Sequence, residues 1–297
     1  MDAARATLSF EAIGTQWEIV TDRPVACALQ ARLFERIERF EATYSRFRPD
    51  SLVSRVAAAA GGGCFAFPAD AIDLFDLYDR LHRTTTGAVD PLVGRDLELL
   101  GYDPTYSLEP APLAVRHAAH AAGRASWLED VARDGSTLVT RRAHVIDVGA
   151  AGKGYLVDIV SDMLAAAGIR SFLVDAGGDL RHVGPDAIRI GLEHPFDPRL
   201  AIGAVDLRGR SLCASAINRR AWGNGLHHVL DARTGLPVRD VVATWVIADD
   251  AATADGLATA LFFVNGSALS AAFRFSYVRM FANGTAEASD NFDGELF

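Results

Sequence analysis

From Thr137 to Ala248 the chain is a run of short strand-forming stretches, and most links between them are too short for a crossover. A parallel pair needs a dozen or more connecting residues, so these strands are expected to pair antiparallel. They include SFLVDA, a Gly177-Gly178-Asp179 turn, stretches near 188–193, 202–207, 211–216 and 226–230, and the apolar octamer VVATWVIA. A hairpin from about Thr137 is expected to end in HVIDVG. Before it, Thr7 to Val20 alternates as a strand pair broken at Gly14.

Helices are fewer. One is expected from Pro24 to about Tyr44, with Leu29, Leu33, Phe34, Ile37 and Phe40 on one stripe, and a second from Ala69 to Arg83. GAAGKGYLVDIVSDMLAAAG should form a third, closed by Gly168, and TADGLATALFFV a fourth. Ala57 to Gly63 reads as a flexible connection, Thr84 to Gly94 as a loop, and positions 105–135 favour no element. The expected class is α+β: mixed, largely antiparallel sheets flanked by helices.

Composition narrows the function classes. A formal charge of −9 gives no electrostatic footprint for nucleic acid, and no run of about twenty apolar residues crosses a membrane. Cys27, Cys64 and Cys213 are too scattered for a disulfide framework or a C-x-x-C metal knuckle, so free thiols in a reducing compartment are expected. The first twenty residues lack the basic start and apolar core of a leader, which places the expected location in the cytoplasm. Lys153 is the single lysine among 29 basic residues, a position where a compact ammonium has survived a drift to arginine.

Four segments could carry chemistry. Asp147-Val-Gly-Ala-Ala-Gly-Lys-Gly154 reads either as a tight turn with a surface lysine or as an anion cradle at a helix N-terminus. Its spacing fits neither the P-loop nor the dinucleotide glycine fingerprint. Asp255 and Thr259 lie four apart and share a helix face. Their hard oxygens suit Mg2+, although Thr253 and Asp255 also read as an ordinary helix start. His227 and His228 sit on opposite faces of a strand, so one can be a general base while the pair cannot chelate a metal. Thr86-Gly87-Ala88-Val89-Asp90-Pro91 is by itself a turn signal.

Taken in order, IGTQW, YSRFRPDSLVSRV, TGAVDPLVG, DVGAAGKGYLVD, VDAGGDLRHVG, HHVLDARTG and TADGLATALF resemble the ApbE family of FAD:protein FMN transferases, from Ile13 to near Val264. The resemblance implies one ApbE-like, T-fold-like domain over 1–297, with an FAD cleft between two lobes. It implies FAD as substrate, Mg2+ as cofactor, transfer of FMN to a Thr or Ser of an acceptor flavoprotein, and release of AMP. Matched by motif, the Ala150 carbonyl, Asp255 and Thr259 correspond to metal ligands. Ile13, Thr86, Ala88, Asp90, Asp147, Lys153 and Leu230 correspond to FAD-binding positions, and His228 to the group that activates the acceptor hydroxyl.

The chain also departs from the family pattern. Ile13 replaces a Met, Ala214-Ser215-Ala216 replaces Thr-Ser-Gly, Asn218 stands where a Tyr is expected, and Ala232 replaces a Pro. These changes gather on the acceptor side. Two other readings therefore stay open: an FAD diphosphatase, with water in place of the acceptor, and a flavin-binding protein without catalysis. No D-x-x-[ST]-G-A acceptor motif is present, so self-modification is not expected.

Overall fold

The computed structural model describes residues 5–121 and 123–297. The first four residues, which belong to the segment read as leaderless, lie outside it. Every strand pairing among the described residues is antiparallel. The main sheet has eight strands, ordered Ala6–Ala12, Thr15–Thr21, Phe172–Asp175, Asp179–Val183, Ser211–Ala216, Val241–Ala248, Ser276–Phe281 and Ala286–Ala288. The α+β expectation holds.

Both faces of this sheet are covered. One carries the main core, where helices Cys27–Tyr44, Ala71–Thr84, Gly152–Ala166 and Ala251–Ala260 meet Trp17, Ile19, Val174, Cys213 and Val246. The other packs Leu180, Leu212, Trp245, Ile247 and Val278 against Leu192, Val205 and Leu207 of a three-stranded sheet built from Ile188–Glu193, Ala201–Leu207 and Gly294–Leu296. This explains VVATWVIA. A strand covered on both faces has no water-facing side to alternate with, and all eight of its residues are buried.

Several boundaries differ from the sequence reading. The first helix starts at Cys27, because Ala26 before it is extended, at φ −60° and ψ 142°. The fourth runs Ala251–Ala260, starting two residues earlier than expected, since Asp250 caps it by accepting from Thr253 N at 2.7 Å, and ending four residues earlier. The 84–94 loop holds a 3-10 turn at Pro91–Val93 and ends in a helix, Gly94–Leu99. Helix Leu52–Ala58 and strand Gly63–Ala66 close in on the supposed Ala57–Gly63 connection, leaving a short turn. HVIDVG forms no strand; the hairpin beside it is Val131–Asp134 with Thr137–Thr140. Near 226–230 there are only two-residue ladders, Leu226–His227 and Leu230–Asp231. No helix among the described residues is long and apolar enough to cross a membrane.

Candidate active site

Helices Gly152–Ala166 and Ala251–Ala260 hold each other by their first turns. Asp158 on the first caps the second: its Oδ1 accepts from Ala251 N at 2.9 Å and its Oδ2 from Ala252 N at 2.8 Å. Asp255 on the second returns the contact, accepting from Gly154 N at 2.9 Å through Oδ2. The approach needs glycine at 154, because a Cβ there would collide with the Ala251 carbonyl oxygen. This clasp fixes the sequence-predicted cluster. Thr259 Oγ1 lies 3.3 Å from Ala150 O, and Lys153 Nζ pairs with Asp179 Oδ2 in a short ion pair.

The glycine-rich turn is not an open cradle of amides. Ala151 and Gly152 N–H both donate to Val148 O, and Gly154 N–H goes to Asp255. The anion-cradle reading is thereby corrected at the amides, and positive charge here comes from the Lys153 ammonium. Asp179 is fully buried, delivered by the Gly177-Gly178 turn, whose φ angles are 65° and 102°. Asp255 is pushed well above the usual carboxylate range by burial and by its neighbour Asp179, against the pull of Lys153. Burial likewise raises Asp179. Among the described residues, two buried carboxylates thus share one ammonium.

That shortfall is the local argument for a metal. No group of three or more His, Cys, Asp or Glu capable of holding one occurs among the described residues. A cation would instead rest on one carboxylate, one hydroxyl and one carbonyl, a set suited to Mg2+ that keeps several waters. The 3.3 Å between Thr259 Oγ1 and Ala150 O is near the roughly 2.9 Å edge of an octahedron with 2.0–2.1 Å bonds. Tyr78 OH is buried beside the Ala150 and Ala151 amides, with Asp147 and Asp255 the carboxylates that act on it. The residues fit such an ion.

A second cluster forms around Asp147. Its Oδ1 accepts from Gly149 N at 2.7 Å and its Oδ2 from Arg46 Nε at 2.6 Å. Burial would raise this carboxyl, but Arg46 and the Gly149 amide win and hold it below the usual range. Both oxygens are committed, so Asp147 shapes the turn that carries Ala150. Arg46 is itself buried, donates to Tyr102 O at 2.8 Å and lies 4.2 Å from the Phe47 ring centroid. Tyr102 stacks on Trp222 and receives a 2.7 Å hydrogen bond from Arg220 at its hydroxyl.

The two adjacent histidines differ. His227 is buried and used on both sides: Nε2 donates to Val238 O at 2.9 Å and Nδ1 accepts from Val229 N at 3.3 Å. His228 is half-buried, and among the described residues its ring is engaged through Nδ1, 3.4 Å from Arg220 O. Burial, with the Arg220 cation adding to it, pushes His228 down to about 4, so the ring is neutral at physiological pH.

The remaining predicted positions have structural occupations. Asp90 Oδ1 accepts from Leu92 N at 2.7 Å and Oδ2 from Trp127 N at 2.8 Å, with His82 Nε2 at 3.2 Å. Leu230 buries its side chain among Leu97, Leu100, Tyr102 and Trp222. Ala88 is buried, and its carbonyl accepts from Ala232 N at 3.1 Å, tying the 86–90 turn to the His228 segment. Thr86 and Ile13 hold left-handed backbones, φ 54° and 46°, which for β-branched residues is strained and is stored where the surroundings dictate it. A groove of about 410 Å³ reaches Ile13, but no other predicted position lines it.

Sequence reasoning missed Asp179, Arg46, Arg220, Tyr102 and Tyr78. Asp179 reads as a turn residue, and Tyr78 lies inside the helix expected from Ala69 to Arg83. Each acquires its place through partners far along the chain, such as the Cys213–Asp179 strand pair.

Residues 13–276 match the profile of the ApbE family. A Rhodobacter capsulatus protein named FAD:protein FMN transferase is 31% identical over 267 residues, or 85% of this chain and 50% of that protein. The chain therefore spans about half the length of that relative. A protein of the same name from Vibrio cholerae is 28% identical over 273 residues, covering 87% of this chain and 81% of its own. Among solved structures, the ApbE protein of Thermotoga maritima superposes with a TM-score of 0.85 at 25% identity, over 97% of this chain and 98% of that one.

Proposed function

The chain belongs to the ApbE family, and from that premise we propose that it is an FAD:protein FMN transferase, moving FMN to a Thr or Ser hydroxyl of an acceptor flavoprotein. The observation that carries this reading is the pairing of a charge-deficient oxygen cluster at Ala150, Asp255 and Thr259 with a neutral imidazole at His228. Breaking a diphosphate requires neutralised charge on the leaving phosphate, and attack by a hydroxyl requires a base.

In this reading the acceptor oxygen bonds to the FMN phosphorus, its proton passes to His228, and the P–O–P bond breaks so that AMP leaves with the bridging oxygen. Asp255, Thr259 and the Ala150 carbonyl would hold Mg2+, whose chemistry is to neutralise phosphate charge. Lys153, held by Asp179, supplies a further fixed cation. Asp147 and Arg46 keep the turn bearing Ala150 in place.

The test combines purified protein, FAD, Mg2+ and a domain bearing the D-x-x-[ST]-G-A motif. Mass spectrometry should show an FMN-sized gain on the acceptor, with AMP released in step and both lost on chelation. AMP and free FMN without modification would make the protein a diphosphatase; bound, intact FAD would make it a flavin carrier.

A further inference from the structure

Arg220 ends the 3-10 turn Ile217–Arg220, directly before the Ala221–Trp222 strand that pairs with Leu226–His227. Its carbonyl accepts from His228 N at 3.2 Å and lies 3.4 Å from His228 Nδ1. A carbonyl oxygen can only accept, so the neutral ring carries its hydrogen on Nδ1 and leaves the Nε2 lone pair free.

The guanidinium of the same residue is tethered to Tyr102 OH at 2.7 Å, and its Nη2 would lie only 3.9 Å from a Cβ built on Gly14. Among the described residues no carboxylate forms an ion pair with it, whereas neighbouring Arg46 is neutralised by Asp147. The charged and titratable groups acting on the His228 ring are Arg220 and His227, which oppose protonation, and Asp147, which favours it. One residue thus acts on His228 twice, by backbone and by side chain.

We propose that Arg220 is a positioning residue for His228: its carbonyl selects the tautomer with an unprotonated Nε2, and its unneutralised guanidinium keeps a second proton off the ring. As a contribution to catalysis this rests on the reading of His228 as the base in FMN transfer; as a statement about the ring it does not.

The test uses selectively labelled histidine in the full chain, wild type, Arg220→Met, Arg220→Lys and Tyr102→Phe, each checked for folding by circular dichroism. Nitrogen shifts of His228 should report an Nδ1–H tautomer in the wild type. The titration midpoint of His228 should rise by about one pH unit in Arg220→Met, since Arg220 is the largest charge opposing protonation of that ring. Arg220→Lys should restore most of the difference, and Tyr102→Phe, which frees the guanidinium, should give an intermediate value. The acid-side midpoint of kcat for transfer should move with the NMR midpoint, so that a one-unit rise from about 4 lowers rates at pH 4 about fivefold and leaves rates at pH 8 unchanged. An Nε2–H tautomer, or a midpoint unmoved in Arg220→Met, overturns the proposal. A shifted midpoint in a protein that transfers no FMN would sustain the Arg220–His228 coupling and overturn the transferase reading instead.

Discussion

The surroundings of Lys153 and those of His228 are made of different material. Around Lys153, Asp255 and Thr259 come from one helix, Lys153 from another, and Asp179 from a central strand, and the two helices cap each other through Asp158 and Asp255. Around His228 the chain has a 3-10 turn and ladders two residues long, and Arg220 is held by one hydroxyl. The first region is fixed by backbone within the core, the second by side chains at its edge. A group that must hold a highly charged diphosphate profits from rigid placement. A group that meets a second protein needs an accessible, locally adjustable frame.

The largest expected effect probes the rigid region. Asp255→Ala removes the only carboxylate in the oxygen set and should lower Mg2+-dependent transfer by about 10³-fold or more, since a cation neutralising phosphoryl charge supplies several kcal/mol. Calorimetric titration with Mg2+ should lose its heat in parallel. Unchanged turnover would remove Asp255 from the site.

His228→Ala probes the other region and should separate chemistry from binding. Loss of a positioned base costs about 10²–10⁴-fold in rate, while FAD affinity, resting on the Lys153 side, should change by less than about threefold. An equal loss of affinity would make His228 a binding group and erase the contrast between the two regions.

Gly154→Ala asks whether the clasp is as unyielding as it looks. A Cβ there meets the Ala251 carbonyl, which is backbone and cannot rotate away. Helices must part, at a cost of about 1–3 kcal/mol in stability by denaturant titration. The equivalent change at Gly225, where a Cβ finds open space but φ is 74°, strains only its own residue. It should leave Mg2+ binding intact, and equal effects at both positions would contradict the difference in construction.

The same contrast decides what the sequence revealed. The apolar pattern located the four longest helices, but not Leu52–Ala58, Gly94–Leu99 or Leu113–Ala121, and VVATWVIA was legible as a buried strand because burial on both faces leaves a continuous apolar run. Asp255 and Thr259 drew notice because a helix sets its own i, i+4 neighbours, Lys153 because it is the single lysine and follows a glycine-rich turn, and Ala150 only through the resemblance to the family pattern. Asp179 was not, because its burial depends on pairing with Cys213 across 34 residues of chain. Arg46 was invisible for a similar reason: a buried arginine in sequence looks like a surface one until Asp147 is seen beside it, while Arg220 is exposed and is marked only by the Tyr102 hydroxyl at its guanidinium. HVIDVG reads as a strand by its apolar alternation, whereas Asp147 gives one oxygen to the Gly149 turn and the other to Arg46. The ladders near His228 are too short for any period to register.

The smallest expected effect concerns Asp158, the other half of the clasp. Burial outweighs the two amides it accepts from and the Arg181 cation, and pushes its carboxyl up to about 6. A raised folded value means that the folded chain binds a proton there more readily than the unfolded chain, whose carboxyl titrates near the ordinary 3.8. The stability linked to this group is therefore fully present below about pH 4 and is lost as pH rises through about 6. Asp158→Asn, which cannot ionise, should remove that dependence. It should also cost roughly 1 kcal/mol of capping, because an amide offers one acceptor where the carboxylate offers two. Measured as the difference in Tm between wild type and variant, the wild-type advantage should grow by a few degrees from pH 7 to pH 4. Most carboxylates that are stabilised in the folded state would give the opposite slope, so a difference that shrinks with acid would mean Asp158 is held charged by Arg181. The clasp would then be an electrostatic joint instead of a buried, hydrogen-bonded one.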